Sequence, residues 1–508
     1  MKNKPRQLRI GVHYEPSNID PHLGAAELAL QMTNGVLDTL VNKTADGEYL
    51  PGLARSFSIS EDQCCYRFTL RDDVVFHDGQ AFDAHAVKVS LDRAHDPANR
   101  SQLAGGLLGP YRETRVINAH EVEILLDEPY ALFLDALSQG WLAPVSPACI
   151  DGLGPNFCKH PIGTGPFRFE RWDAGDCLII RRNPDYAWAP EMVDNNGVAH
   201  LDEIVFKFIS DDAARSQALR DGVVDAIFAA NPADAAGFRA NTDLCVTSWP
   251  IRGVPVSLML NTKRHPTTDI EVRRAIAHGL DMDAIVSEIF SGEFIRAHGP
   301  VSQATLGYEP AVENLYPHDV DKARALLDQQ GWVLEDDGMR RKDGQLLEVV
   351  FYALPVNFYP EIGAMVRSQL AAIGISTEVR LTNPREWIQA GMAGEHHLIP
   401  QGKYASSSQL LAFVYHSRRS ADGNYGWSKR DASAYAVIDE LIDAAETCTD
   451  KADFVPLFKQ AQVEIMKAAL CVPVHCNCNI VVQSKRVSGM KFDAIGAYPL
   501  FHDTKIDC

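Results

Sequence analysis

Apolar and polar positions along this chain follow two different periods in turn. Short runs such as LRIGV near the start and CYRFTL at 65–70 alternate with a period of two, which predicts strands. Longer segments such as DKARALLDQQGW and SAYAVIDELIDAAE read as helices, and Gly331 ends the first of them. Because strands and helices alternate along most of the chain, the pattern predicts an α/β fold.

The segment HPIGTGPFRFERW, residues 160–172, raises the question of a phosphate-binding loop because Gly163 and Gly165 flank a threonine. Such a loop has to open a helix, whose free N–H groups and dipole hold the anion. Here the residues after Pro166 alternate between apolar and charged, which predicts a strand, and the proline has no N–H to donate. We therefore interpret the segment as a structural turn whose glycines serve the backbone conformation.

The segment CVPVHCNCNIVV brings two cysteines and a histidine close together, which raises the question of a zinc site. Read as one strand, it places Cys476 and Cys478 on one face and His475 on the other, so the three ligands do not converge. A buried strand is the interpretation that follows. Elsewhere, Cys149 and Cys158 bracket a Gly/Pro loop and are predicted to form a local disulfide in an oxidising compartment.

Length and charge narrow the class of protein. A chain of 508 residues exceeds one ordinary core, so two or three domains are expected. The formal charge of −19 argues against nucleic acids and anionic membranes as partners. No apolar run approaches the roughly 20 residues of a membrane span. The start, MKNKPRQLRIGV, lacks the apolar segment of a secretory signal, so a cytoplasmic location and a removed signal both remain open.

Several longer blocks carry a family resemblance because they follow one another in register. They are YRFTLRDDVVFHDGQAFDAHAVKVSLDR, HPIGTGPFRF, NPDY, LNTKRHPTTDIEVRRAIAHGLDMDAIV, DKARALLDQQGW and ISTEVRL. With these blocks in this order, the whole chain resembles the solute-binding proteins of ABC importers, family 5, the large peptide/nickel/opine-type group.

The resemblance implies an α/β, two-lobed periplasmic-binding-protein-like fold (type II, cluster C) with a small subdomain inserted in lobe I. The implied ranges are 1–50, 166–249 and 481–508 for lobe I, 51–165 for the inserted subdomain, and 250–480 for lobe II. Lobes of this kind close around a ligand by a hinge motion. The resemblance also implies a periplasmic monomer with its signal removed, no cofactor, a small-molecule solute and an ABC transporter permease as partners.

The same resemblance implies which segments line the ligand pocket. They are the end of the first strand, the helix end before residue 160, the turn near 355 and the loop near 404. The predicted ligand-binding residues are His13, Tyr14, Glu15, Trp141, Arg252, Asn357, Phe358, Tyr359, Lys403, Tyr404, Ser406, Ser407 and Trp427. Three of the aromatic residues, Tyr14, Trp141 and Trp427, are equally compatible with a position in the core, and Lys403 with a solvated charge.

Two departures from the family pattern bear on the ligand. Dipeptide binders of the family place an arginine near the 355 turn and an aspartate in the loop near 404. This chain has Asn357-Phe358 and a serine run there. A plain dipeptide is therefore disfavoured, because a charge-assisted pair with its carboxylate would be missing. Lys403, Arg252, hydroxyls and aromatic rings suit an opine, a sugar conjugate or a modified peptide.

Two functions are alternatives to the binding of an organic solute. A nickel or metal-chelate binder of the same family is the alternative, with His396, His397 and His416 as candidate ligands, although the loop near 404 lacks the histidine of that branch. A hydrolase is the second alternative. The G-x-S-x-G and HExxH motifs are absent, and the run 406–408 is predicted to have no strand-to-helix setting that would strain a nucleophile, so no enzyme and no catalytic residue is expected. Arg273 and Arg274 are predicted to form surface ion pairs.

Overall fold

The chain folds into two units, and each is built on its own mixed β-sheet. The computed structural model describes residues 5–101, 103–153, 159–356, 358–418, 433–448 and 450–507. Unit 1 comprises Met1–Trp249 and Asn479–Cys508, and unit 2 comprises Pro250–Cys478. In the described ranges no helix is both long and apolar enough to cross a membrane.

Strands and helices alternate as the apolar pattern predicts. The strands are β1 (Gln7–Val12), β2 (Val41–Lys43), β3 (Tyr49–Pro51), β4 (Ala54–Ile59), β5 (Cys65–Leu70), β6 (Tyr111–Asn118), β7 (Glu121–Leu126), β8 (Phe167–Asp173), β9 (Cys177–Arg182), β10 (Glu203–Phe208), β11 (Ala226–Ile227), β12 (Leu244–Pro250), β13 (Gly253–Leu260), β14 (Ile295–Arg296), β15 (Val333–Leu334), β16 (Arg340–Lys342), β17 (Gln345–Leu346), β18 (Glu348–Ala353), β19 (Ser376–Leu381), β20 (Leu398–Tyr404), β21 (Cys471–Cys476), β22 (Cys478–Ser484), β23 (Val487–Ser488), β24 (Lys491–Phe492), β25 (Pro499–Leu500) and β26 (Lys505–Ile506). The α-helices of the described residues are α1 (Glu27–Thr33), α2 (Ala84–His95), α3 (Ala104–Leu107), α4 (Phe133–Leu137), α5 (Pro147–Leu153), α6 (Asp212–Arg220), α7 (Ala235–Arg239), α8 (Ile270–Gly279), α9 (Met282–Phe290), α10 (Val320–Gln329), α11 (Tyr359–Ala372), α12 (Pro384–Ala393), α13 (Leu410–Tyr415), α14 (Ala436–Glu446) and α15 (Lys451–Lys467).

Unit 1 contains a seven-stranded sheet in the order β12-β22-β11-β1-β10-β9-β8. Strand β1 runs parallel to both β10 and β11, so these three strands end at the same edge of the sheet. A separate antiparallel sheet, β4-β5-β7-β6, lies within residues 54–126. That sheet falls inside the range 51–165, whose assignment to an inserted subdomain stays a prediction.

Unit 2 contains a six-stranded sheet in the order β14-β21-β13-β20-β18-β19. Strands β18 and β20 are parallel, and β13 is antiparallel to both β20 and β21. The ends of β18, β20 and β21 and the start of β13 therefore share one edge, which we call the carboxyl edge of unit 2. Separate buried clusters on the two faces bury α8, α9 and α11 on one side and α13, α14 and α15 on the other.

The segment 160–172 packs closely against other backbone segments of unit 1. The strand predicted within it is present as β8. A Cβ added at Gly163 would lie 2.2 Å from the Val36 carbonyl oxygen, and one at Gly165 would lie 2.6 Å from the Gly35 carbonyl oxygen. The His77 N–H donates to the Gly163 carbonyl, and the His77 Nε2 lies 3.0 Å from the Gly165 carbonyl. Glycine is required at both positions because another backbone segment occupies the space of a side chain.

Two predicted elements are each divided in the structure. The segment TDIEVRRAIAHGLDMDAIVSEIF, residues 268–290, has the sequence pattern of one long helix but forms two, because the Asp281 side chain accepts from the Ala284 N–H and caps a new start. The strand predicted over 471–482 is wrong as one strand, since β21 belongs to the sheet of unit 2 and β22 to that of unit 1. Cys476 and Cys478 therefore lie on two different strands and do not share one face of a single strand.

The prediction of surface ion pairs holds for Arg274 and is wrong for Arg273. Arg274 pairs with Glu271 at 2.7 Å on α8. Arg273 is fully buried, and its guanidinium donates to the Ala468 carbonyl at 2.9 Å and to the Tyr435 hydroxyl at 2.6 Å. Burial lowers the pKa of Arg273 from its ordinary value. This residue therefore satisfies carbonyls left open at the carboxyl end of α15, a role that its sequence neighbourhood does not reveal.

The predicted disulfide remains a prediction, because Cys158 lies outside the described residues. Cys149 is buried, and its Sγ lies 3.8 Å from the His160 carbonyl oxygen. Burial raises the pKa of the Cys149 thiol to about 11.

Gly163→Ala is expected to destabilise the protein by about 3 kcal/mol, since its methyl group overlaps a backbone carbonyl that cannot move aside cheaply. Gly106→Ala is the matched control, because a Cβ there meets no atom within 4 Å. Urea unfolding of both variants measures the difference. Equal stability of the two variants, or a Gly163→Ala protein that is stable and has lost only ligand binding, would contradict the structural role.

Stability is expected to fall as the pH drops from about 6.5 to about 4, because burial lowers the pKa of His22 and of His77 to about 4. In this window the unfolded chain protonates at the ordinary histidine pKa of 6.5 while the native imidazoles stay neutral. The unfolded state then binds more protons and gains up to about 1.4 kcal/mol per pH unit for each such histidine. Urea unfolding of wild type and His77→Gln across this window should give a flatter profile for the variant, and parallel profiles would contradict the assignment.

Candidate functional site

Unit 2 brings basic and aromatic residues together at its carboxyl edge. In the register of β13 and β20, Gly253 pairs with Tyr404 and Val254 with Lys403. Arg252 directly precedes β13, and the Ala405 N–H donates to its carbonyl at 3.0 Å. Two cationic residues and a tyrosine therefore lie on neighbouring strand ends, each half-buried.

Gly253 sets how closely these two strands approach. Its φ is +128°, and a Cβ there would lie 2.1 Å from the Lys403 carbonyl oxygen. The Gly253 N–H also donates to the Thr305 hydroxyl at 2.7 Å, which anchors the neighbouring loop. Any side chain at this position would push Arg252 and Lys403 apart.

The turn after β18 contributes two aromatic residues. Phe358 has a left-handed backbone with φ +62°, which is uncommon for an aromatic residue, and it precedes α11. Its ring centroid lies 5.1 Å from that of Phe290, and Tyr359 is buried in the same core. Of the other predicted residues, Asn357 and Trp427 lie outside the described residues.

The serine run lies between a strand and a helix, but without the strained backbone of a nucleophile. Strand β20 ends two residues before Ser406, and α13 begins two residues after Ser408. The Ser408 N–H donates to the Leu306 carbonyl at 3.0 Å, and the Ser407 hydroxyl donates to the Gln409 side chain at 3.1 Å. No described residue from 403 to 410 has a positive φ, in contrast to the strained serine of a nucleophile elbow. Ser406 and Ser407 are buried where they hold this loop.

In unit 1, three predicted residues follow β1 at the edge where β10 and β11 also end. The Glu15 carboxylate accepts from the Trp172 Nε1 at 2.7 Å and from the Gly175 N–H at 3.0 Å, which ties it to the β8–β9 hairpin. The His13 and Tyr14 rings meet edge-on at 4.8 Å. Burial, together with the charge of Arg215, lowers the pKa of His13 to about 4, so this imidazole is neutral at pH 7.

Arg215 lies near the end of β1, close to His13, and was not among the residues predicted from the sequence. It is 2% exposed, and its guanidinium donates to the Ile209 carbonyl at 2.8 Å and pairs with Asp212. A Cβ at Gly11 would lie 3.2 Å from the Arg215 Cγ, so a glycine in β1 makes room for this side chain. The one available signal was that glycine within the strand LRIGV, because a strand glycine often marks a close approach.

Trp141 lies in the core of unit 1 rather than on a strand end. It is 2% exposed in the short 3-10 turn Gly140–Leu142 that follows α4. A buried ion pair lies next to this turn: the Lys43 Nζ is 2.5 Å from an Asp135 oxygen, and both residues are buried. The other Asp135 oxygen accepts from the Gln139 side chain at 3.1 Å.

Two of the histidines proposed as metal ligands are engaged inside unit 2. The His397 Nδ1 accepts from the Val350 N–H at 2.9 Å, and its Nε2 lies 2.9 Å from the His265 carbonyl oxygen. The His416 Nε2 lies 3.0 Å from an Asp443 oxygen. His396 is buried as well. Within the described ranges, the group that meets a three-ligand spacing is Asp173, Asp176 and Cys177 in the β8–β9 hairpin, where the two carboxylates are exposed.

Comparison with known proteins shows which family this chain belongs to. The profile of the bacterial extracellular solute-binding proteins, family 5, matches residues 48–425. The chain belongs to this family. It is therefore the solute-binding component of an ABC importer, and the members of the family are binding proteins of ABC transporters.

Individual relatives share about a quarter of their residues with this family member. The glutathione-binding protein GsiB of Pectobacterium atrosepticum is 25% identical over 492 residues, which cover 93% of this chain and 89% of the relative. The probable di/tripeptide-binding protein 5 of Pseudomonas aeruginosa is 28% identical over 498 residues, which cover 92% and 90%. Among solved structures, NikA from Brucella suis in complex with Fe(III)-EDTA matches with a TM-score of 0.85, 24% identity, and coverage of 99% and 100%. The two-lobed periplasmic-binding-protein fold expected from the sequence is thereby confirmed.

Lys43→Met is expected to destabilise the protein by about 3–5 kcal/mol, because it leaves the Asp135 carboxylate charged and buried without its partner. The double variant Lys43→Met/Asp135→Leu should recover most of this loss, since two apolar side chains replace the pair. Chemical unfolding of the two variants and of wild type measures both effects. A single variant as stable as wild type would show that the pair does not support the turn at Trp141.

Proposed function

We propose that the solute of this importer component is a short peptide conjugate that carries a carboxylate, of which glutathione is an example. The carrying observation is the register that sets Arg252 and Lys403 on adjacent strand ends at the carboxyl edge of unit 2. Two basic side chains held by one strand pairing favour an anionic group, because a charge-assisted hydrogen bond is stronger than a neutral one. The half-buried Tyr404 at the end of β20 and the half-buried Phe358 in the turn after β18 suit the apolar parts of such a solute.

This assignment also accounts for the missing arginine near the 355 turn. The segment Leu354–Tyr359 carries no basic residue, so a carboxylate has no anchor there. Lys403 on the neighbouring strand β20, and Arg252 before the next strand β13, offer an anchor in the same sheet. The names of the relatives, which refer to glutathione and to di- and tripeptides, support a modified peptide over an opine or a sugar conjugate.

The remaining parts of the proposal follow the family. We expect the protein to act outside the cytoplasm as a monomer that delivers its solute to a membrane permease, without catalytic turnover. Native mass spectrometry of the purified protein, before and after denaturation, tests the solute class. A co-purified organic mass of peptide type supports the proposal. A nickel-sized adduct with a chelator would instead favour the metal-chelate alternative, which the engaged His397 and His416 do not support.

Lys403→Ala is expected to weaken glutathione binding by about 1.5–3 kcal/mol, because a charge-assisted hydrogen bond to a carboxylate is lost. Calorimetric titration of wild type and variant with glutathione and with trialanine gives the measurement. Lys342→Ala, in the exposed end of β16, is the matched control and should bind as wild type does. Unchanged affinity of Lys403→Ala would remove this residue from the site, and no binding of either probe to wild type would contradict the proposed solute class.

A further inference from the structure

His475 is a buried histidine of unit 2 whose ring nitrogens make no well-formed hydrogen bond with the described residues. It is 2% exposed. A buried polar group in this condition costs free energy comparable to a lost hydrogen bond, and native structures keep few of them. His397 provides the contrast within the same unit, because both of its ring nitrogens are hydrogen-bonded.

A β-bulge places the His475 ring where it is. Val256 of β13 pairs with His475, and the next residue, Ser257, pairs with Pro473, so one residue of β21 is extra. The bulge turns the His475 ring toward α9, where its centroid lies 4.4 Å from that of Phe290 and 5.2 Å from that of Phe294. A regular strand would have sent this ring to the opposite face of the sheet.

The ring belongs to an aromatic cluster at the carboxyl edge of unit 2, formed by Phe290, Phe294, Phe358 and His475. Strand β21 ends at this edge together with β18 and β20, and the Phe358 ring lies 5.1 Å from that of Phe290. Phe290 and His475 are buried, whereas Phe294 and Phe358 are half-buried. The cluster therefore reaches solvent through its two outer rings, next to the turn that begins α11.

Phe358 adds a second, independent observation. Its φ of +62° is a left-handed conformation that aromatic residues rarely adopt. Strained backbone of this kind persists where surrounding structure imposes it, and it is concentrated at ligand clamps and switch regions. An unsatisfied imidazole and a strained outer ring thus occur in one cluster at the edge that carries Arg252 and Lys403.

The imidazole is neutral under physiological conditions. Burial lowers the pKa of His475 to about 3; the nearby Cys476 backbone raises it in part, and the charge of Arg296 lowers it slightly further. A neutral imidazole offers one N–H donor and one nitrogen acceptor. Its natural complement is an uncharged group that both accepts and donates, and a carboxamide meets that description.

We propose that His475 is a specificity-determining residue and that the aromatic cluster receives an uncharged, planar, hydrogen-bonding side group of the solute, such as a carboxamide. The solute group displaces the outer Phe358 ring, stacks on the phenylalanines and hydrogen-bonds to the His475 ring. This inference rests on the proposed function, since it assigns one subsite of the same peptide-type ligand.

The stability arm of the test compares His475→Leu with His397→Leu. His475→Leu should unfold at the same temperature as wild type or higher, because it removes an unsatisfied polar ring from an apolar surrounding. His397→Leu, the matched control, should have an unfolding temperature at least about 5 °C below that of wild type. The reason is that the buried Val350 N–H loses its hydrogen-bond acceptor. An equal loss of thermal stability in both variants would overturn the proposal by showing that His475 has a structural hydrogen-bonding role.

The binding arm uses two glutathione analogues in calorimetric titrations, γ-Glu-Gln-Gly and γ-Glu-Met-Gly, whose central side chains are of similar size. Wild type should bind γ-Glu-Gln-Gly at least about tenfold more tightly than γ-Glu-Met-Gly, and His475→Leu should abolish this ratio. His475→Gln, which keeps a donor and an acceptor, should restore part of it. A ratio that is unchanged in His475→Leu, a wild-type preference for γ-Glu-Met-Gly, or binding of glutathione but of neither analogue would overturn the inference while leaving the proposed function intact. If neither analogue nor glutathione binds to wild type, both the proposed function and the inference that rests on it fail.

Discussion

The antiparallel pairing of β13 with β20 is the contact on which the candidate site of unit 2 depends. It requires Gly253, because a Cβ there would lie 2.1 Å from the Lys403 carbonyl oxygen. Once the two strands approach this closely, the Ala405 N–H reaches the Arg252 carbonyl and the two basic residues become neighbours. The same strand β13 pairs on its other side with β21, where the bulge turns His475 into the aromatic cluster. One strand thus organises both the polar and the aromatic part of the edge.

Two buried charged groups of this protein are compensated by partners, whereas the two ring nitrogens of His475 are not. Arg273 is fully buried but donates to carbonyls at a helix end, and Lys43 is buried against the Asp135 carboxylate. Both groups are compensated, as burial of charge requires. The His475 ring has no such compensation among the described residues. A solute that hydrogen-bonds to the His475 ring would offset the free energy cost of burying it. This is the physical reason for placing His475 in the proposed site.

The fold class and the family could be predicted from the sequence, and predictions failed where distant segments meet. The segment 160–172 was predicted to be a turn before a strand because its alternation and Pro166 are local properties. By contrast, Arg273 was predicted to lie on the surface because its partner carbonyls are some 195 residues away in sequence. The contact of the serine run with Leu306 likewise depends on how two loops pack, which local sequence does not show.

The amino-acid sequence by itself determined the alternation of strands and helices, the helix end at Gly331, and the ordered blocks that define the family. These features rest on local periodicity and backbone preference, which are written into neighbouring residues. Only the tertiary structure decided that Arg252 and Lys403 are adjacent, that β21 and β22 belong to different sheets, and that the His475 ring lacks a partner. Strand register, bulges and burial arise from contacts between segments far apart along the chain, and no local pattern encodes them.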